Sequence, residues 1–196
     1  MNNIEEAGFE GIQVVGNVLV HGIRCSKIKG LVAEFGVLSG TTIRQIAKTV
    51  HPDIVHGFDS FVGLPEAWAL SDELVYKPGH FNTRGKLPIV PDNVQLHIGW
   101  FSDTLQEFLI THKEPFRFIH IDSDIYSSAM DVLTLCREQI VNGTVIVFDE
   151  YCNWKDSGKY LNWREGEYKA LHDSGLEFIP LARDNTYRAA IQIVKE

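Results

Sequence analysis

Apolar runs along the chain alternate with stretches whose apolar positions fall at helical spacing. The run Leu31 to Val37 leads past Gly40, with Thr41 and Thr42 as candidate helix caps, into Ile43, Ile46, Ala47 and Val50. That is a strand, a tight turn and a helix. Ile54 to Phe58 reads as a second strand ending at Asp59. Val94 to Ile98 reads as a third, followed by a helix that starts near Ser102 and carries Leu105, Phe108 and Leu109. Phe116 to Ile121 predicts a fourth strand. Ser127 to Ile140 predicts a helix with Met130, Leu133 and Cys136 inward, and Thr144 to Phe148 a fifth strand. After a helix over Glu165 to Ser174, with Gly175 as its C-cap, come Leu176 to Leu181 and Arg188 to Val194. The turn between this last pair is too short for a parallel crossover, so the final strand returns antiparallel. The prediction is an α/β fold: a seven-stranded, mostly parallel sheet with an antiparallel C-terminal strand and helices on both faces. Residues 1–30 form an N-terminal helical lid or edge segment, and residues 31–196 the main domain.

Two stretches break the pattern: Gly63 to Asp92, with Pro65, Pro78, Pro88 and Pro91, and Tyr151 to Trp163, rich in Trp, Tyr and Lys. Both follow strand C-termini, the edge at which open α/β sheets bind ligands, so substrate recognition is expected there. The length of 196 residues suits one domain. A formal charge of −8 and the lack of any basic run argue against nucleic acid and anionic membrane as partners. The opening MNNIEEAGFE has no basic leader, and Gln13, Gly16, Asn17 and His21 interrupt the apolar stretch Ile12 to Ile23, so no membrane span is expected. That stretch can bury itself against its own domain or in a homodimer. Cys25, Cys136 and Cys152 form no C-x-x-C pair and fit free thiols in a reducing, cytoplasmic setting.

Within this frame Glu34 puts a carboxylate in an apolar strand, and Gly36 and Gly40 flank the turn that follows. Such glycines let a backbone approach a nucleotide-type ligand. Asp59 and Ser60 then stand at the next strand end, the position that reads ribose hydroxyls. Trp100, Phe101 and Ser102 offer an aromatic wall and a helix-capping hydroxyl after the third strand. Asp122 and Asp124 end the fourth strand, and Asp149 and Glu150 the fifth. Four carboxylates on one sheet edge repel one another, and a hard divalent cation, Mg2+ by preference, is the simplest compensation. His120 shares a strand face with Asp122 and is a candidate base or supporting partner. A nicotinamide-dependent sugar oxidoreductase would use the same ribose-reading acid, but the glycine spacing is not G-x-G-x-x-G and no Tyr-x-x-x-Lys pair occurs. A non-catalytic cofactor-binding module is the other alternative.

The segments EFGVLSGTTI, GFDSFVGLPEAW, GWFSDTL, HIDSDIYSS and VFDEY, in this order, resemble the macrocin O-methyltransferase-like enzymes over roughly residues 31 to 151. The interval from Asp122 to Asp149 is also similar to that of the catechol-type, magnesium-dependent methyltransferases. The resemblance implies a Rossmann-like methyltransferase sheet and an S-adenosylmethionine-dependent O-methyltransferase acting on a hydroxylated small-molecule acceptor. It implies S-adenosylmethionine held by Glu34, Gly36, Gly40, Asp59, Ser60 and Ser102, with Trp100, Phe101 and Asp122 beside it. It also implies Mg2+ held by Asp122, Asp149 and Glu150. Glu150 stands where that family has a second aspartate.

Overall fold

The computed structural model describes residues 2–156 and 159–195; Met1, Glu196 and, within the Tyr151 to Trp163 stretch, Ser157 and Gly158 lie outside the described residues. Two short helices, α1 (Asn3–Glu6) and α2 (Val18–Cys25), precede β1 (Leu31–Phe35), α3 (Thr41–Val50) and β2 (Val55–Asp59). A small hairpin of β3 (Trp68–Ala69) and β4 (Val75–Tyr76) leads to β5 (Val94–Ile98), α4 (Phe101–Thr111), β6 (Phe116–Ile121), α5 (Tyr126–Leu135) and β7 (Val145–Phe148). A 3-10 turn (Trp163–Glu165), α6 (Glu167–Asp173), β8 (Phe178–Arg183) and β9 (Ala189–Ile193) follow. The main sheet has seven strands in the order β5-β2-β1-β6-β7-β9-β8. Its pairings are parallel except those of β9, which runs antiparallel to both β7 and β8. This is the architecture expected from the apolar runs. α5 ends at Leu135 rather than at Ile140, because the chain turns there to let the Gln139 carbonyl accept the Phe116 N–H at 2.9 Å.

Strand alternation sends Phe35, Phe58, Ile121, Ile146 and Phe148 to one face, in a core with Leu105, Ala129, Val132 and Leu171 of α4, α5 and α6. Val32, Val55, Phe118, Val145 and Val147 face the other way, against Val18, Leu19 and Ile23 of α2 and Ile43 and Ile46 of α3. The apolar N-terminal stretch therefore buries itself on its own sheet. Gly22 permits this close approach, since a Cβ there would lie 2.7 Å from Val147 Cγ2.

One polar feature of this packing makes stability depend on pH. His56 on β2 lies with its Nδ1 3.2 Å from His97 Nε2 and its ring 5.1 Å from that of His112. Burial, then the neighbouring His97 and His112, lower its pKa from 6.5 to about 4, with Glu114 opposing. Between those values the unfolded chain binds a proton that the fold refuses, so stability present above pH 6.5 is lost as pH falls towards 4. Urea unfolding at about pH 7 and pH 5 should show a larger loss for the wild type than for His56→Gln. Equal losses would exclude His56 as the titrating group.

Candidate active site

The strand order reverses between β1 and β6, and beyond the C-terminal ends of these strands opens a cavity of about 510 Å³. Gly36 and Leu38 after β1, Asp59 and Ser60 after β2, and Gly99, Trp100, Phe101 and Ser102 after β5 line one part of it. Asp122, Ser123 and Asp124 after β6, Glu150 after β7, and Ser127, Ser128 and Asp131 of α5 line another. The β3–β4 hairpin closes it with Leu64, Trp68, Leu70 and Tyr76, and the Ser127 hydroxyl ties this region down by donating to Glu66 at 2.6 Å. The Gly63 to Asp92 stretch thus contributes an apolar part of the cavity wall. Ser102 does not cap α4; that helix begins one residue earlier, at Phe101, and Ser102 turns its side to the cavity instead. Thr41 and Thr42 likewise leave the N-cap of α3 to Gly40, which does not line the cavity.

Gly36 has φ of +95°, and a Cβ there would lie 1.8 Å from the Asp122 carbonyl oxygen. No other residue allows β1 and the Asp122 loop to come so close. Asp59 holds the same turn from the other side. Its Oδ2 accepts the Val37 and Leu38 N–H groups, each at 2.8 Å, and its Oδ1 accepts that of Phe61 at 2.6 Å. The carboxylate expected to read a ribose therefore also builds the loop against which such a ligand would lie.

Glu34 and His120 sit opposite each other in the β1–β6 register, which explains why a charge is tolerated in each strand. His120 Nδ1 is 2.8 Å from Glu34 Oε1, and His120 Nε2 is 3.4 Å from Asp149 Oδ1. Arg188 closes the chain with both Nε and Nη2 on the Asp149 carboxylate. Burial works against the His120 cation, but the hydrogen bonds to Asp149 and Glu34 outweigh it and push its pKa up to about 10. Asp149, despite its burial, is held below the usual carboxylate range by His120 and Arg188. Burial raises the Glu34 pKa, with the His120 hydrogen bond opposing, and its Oε2 has no hydrogen-bond partner. The four groups form one chain beneath the cavity, and neither Glu34, His120 nor Asp149 lines it. The structure thus places His120, the candidate base or supporting partner, beneath the cavity with both ring nitrogens engaged. It also places Glu34 outside the cavity, in a structural pair.

The remaining acids have no such partners. Asp122, Asp124 and Glu150 each offer a carboxylate oxygen, all within 4.8 Å of one another, at the cavity wall. Glu150 Oε2 is buried without a hydrogen-bond partner. Burial raises all three pKa values well above the usual range, and Asp149 and neighbouring carboxylates raise them further. Oxygen-only donors, mutual repulsion and an orphaned buried oxygen suit a hard divalent cation. Asp122 also belongs to a second such group, in which its carboxylate, His120 and Asp149 offer ligand atoms within 4.8 Å of one another while Arg188 holds Asp149. Sequence patterns did not single out Glu167, Arg188 or the hairpin aromatics. Glu167 alone carried a signal, as an acid at helical spacing from Ala170 and Leu171 on the buried side of α6.

A mostly parallel sheet of this order, with a glycine turn after β1, an acid at the end of β2 and carboxylates at the switch point, is the architecture of a class I S-adenosylmethionine-dependent methyltransferase. Residues 33–151 match the family model described as Methyltransferase domain, and the chain belongs to that family. Among solved structures it is similar to the calicheamicin methyltransferase CalS11, at 20% identity over 89% of this chain and 75% of that one, TM-score 0.67. It is also similar to the O-methyltransferase NovP, at 23% identity over 90% and 79%, TM-score 0.55. A third similar structure is an O-methyltransferase from Bacillus cereus in complex with SAH, at 16% identity over 97% and 86%, TM-score 0.53. No curated protein matches. No helix among the described residues is long and apolar enough to cross a membrane.

Proposed function

We propose that this methyltransferase is an O-methyltransferase that alkylates a hydroxyl of a small-molecule acceptor with the assistance of a divalent cation. The observation that carries this reading is one cavity joining the Gly36–Asp59 turn to the carboxylates of Asp122, Asp124 and Glu150. S-adenosylmethionine supplies a methyl group already activated on sulfur, which leaves the protein to align the reactants and to deprotonate the acceptor. Gly36, Leu38, Asp59, Ser60, Trp100, Phe101 and Ser102 form the cofactor wall, and the acid lining favours the cationic sulfonium. Asp122, Asp124 and Glu150 would hold Mg2+, whose chemistry there is to lower the pKa of a bound hydroxyl. Asp122, between the cofactor wall and the other acids, is the residue that orients that hydroxyl and takes up its proton.

Five carboxylates, those of Asp59, Asp122, Asp124, Asp131 and Glu150, line the cavity, with no Lys or Arg among the described lining residues. Together with Leu64, Trp68, Leu70 and Tyr76 this favours an uncharged or cationic acceptor with an apolar face, such as a glycosylated natural product, over a phosphorylated one. Isothermal titration with S-adenosylmethionine, S-adenosylhomocysteine and NAD, with and without Mg2+, tests the cofactor. Micromolar binding of the first two alone is expected; binding of NAD alone would overturn the reading. An acceptor screen with metal present and with chelator then tests the reaction, and undiminished turnover in chelator would remove the cation from it.

A further inference from the structure

Glu167 opens α6, is fully buried and stands outside the cavity, so cofactor and acceptor have no route to it. Its carboxylate nevertheless reaches both acid-bearing loops. Oε1 accepts the Ser123 N–H at 3.0 Å, between Asp122 and Asp124, and Oε2 accepts the N–H of Glu150 itself at 3.0 Å. The segment just before it grips the second loop from its other side. The Tyr160 hydroxyl donates to the Glu150 carbonyl at 3.2 Å and lies against Gly166, where a Cβ would sit 2.7 Å from that oxygen. A buried carboxylate is costly unless it is hydrogen-bonded, and an apolar side chain would fill the same space at lower cost. What Glu167 provides that an apolar residue lacks is a two-oxygen bridge between the loop after β6 and the loop after β7.

We propose that Glu167 is a positioning residue that sets the spacing of Asp122 and Asp124 relative to Glu150, and with it the affinity of these acids for a divalent cation. The inference rests on the reading of those three carboxylates as the cation site. Glu167→Gln keeps the size of the side chain but turns an NH2 group towards one of the two backbone N–H donors, so one loop loses its acceptor. Glu167→Asp keeps both acceptor oxygens on a shorter stem.

Mn2+ titration of the wild type and both variants, followed by electron paramagnetic resonance, tests this. S-adenosylhomocysteine titration and metal-free thermal unfolding serve as controls. Glu167→Gln should weaken Mn2+ binding about 10- to 100-fold, the usual effect of removing a group that orients metal ligands, with much smaller changes in cofactor affinity. Glu167→Asp should recover part of the loss. Unchanged Mn2+ affinity in both variants, or parallel loss of Mn2+ affinity, cofactor affinity and melting temperature, would overturn the proposal. If Glu167→Gln fails to fold, Glu167→Asp decides by the same comparison. A wild type that binds no Mn2+ defeats the cation site and this inference together, whereas a binding wild type with unchanged variants defeats this inference alone.

Discussion

Asp122→Asn is expected to cut methyl transfer by roughly two to four orders of magnitude while leaving S-adenosylhomocysteine affinity nearly unchanged. The asymmetry follows from how the residue is held. The Asp122 N–H donates to the Phe35 carbonyl at 2.8 Å and its own carbonyl packs on Gly36, so the backbone position survives a change at the side chain. The cofactor wall on the Gly36–Asp59 turn survives with it. What the amide cannot do is accept a proton from the acceptor hydroxyl or contribute a full negative charge to the cation site. Mn2+ affinity should therefore fall alongside kcat. Near wild-type turnover of Asp122→Asn on any acceptor the screen yields would exclude Asp122 as the proton-accepting group, and loss of S-adenosylhomocysteine binding would make it a cofactor residue instead.

The strands that build the site were legible because they are buried on both faces. β1, β2, β6 and β7 read as nearly continuous apolar runs, and the acids and glycines at their ends fell into place once the parallel order was assumed. The hairpin over the cavity was not legible. Two-residue strands such as Trp68–Ala69 and Val75–Tyr76 are too short for periodicity to register in a stretch rich in proline. The helix caps failed for a related reason: Thr41, Thr42 and Ser102 are good capping residues by type, but the chain enters those helices through Gly40 and Trp100.

Charge was the least legible property. Glu34 looked like a ligand-facing acid because its partner, His120, lies on a strand distant in sequence and is brought opposite it only by the β1–β6 register. The same holds for Asp149, whose neutralising Arg188 comes from the chain just before β9. Once these pairs are subtracted, the acids left facing the cavity are those without cations of their own. Of the four acids expected on this edge, Asp122, Asp124 and Glu150 line the cavity, while Asp149 lies beneath it beside Asp122 and His120.

His120→Ala should be among the most destabilising single changes in the protein, by about 3–5 kcal/mol, the usual cost of leaving one member of a buried ion pair without its partner. Asp149 keeps Arg188 when the imidazolium goes, but Glu34 keeps nothing of equal charge. Replacing Glu34 as well removes the orphan, so Glu34→Gln combined with His120→Ala should recover much of the loss, and the two single changes should be strongly non-additive in urea unfolding. The pH dependence gives an independent reading. The His120 pKa rises from 6.5 in the unfolded chain to about 10 in the fold, so its stabilising effect is complete below pH 6.5 and is lost as pH rises through 10. The wild type should accordingly weaken between about pH 7 and 9.5, and the double variant, with neither titrating group, should not share that slope. A His120→Ala protein that keeps full stability but loses turnover would point the other way. It would restore His120 to the chemistry and require the imidazole to leave Glu34 and Asp149 during the reaction.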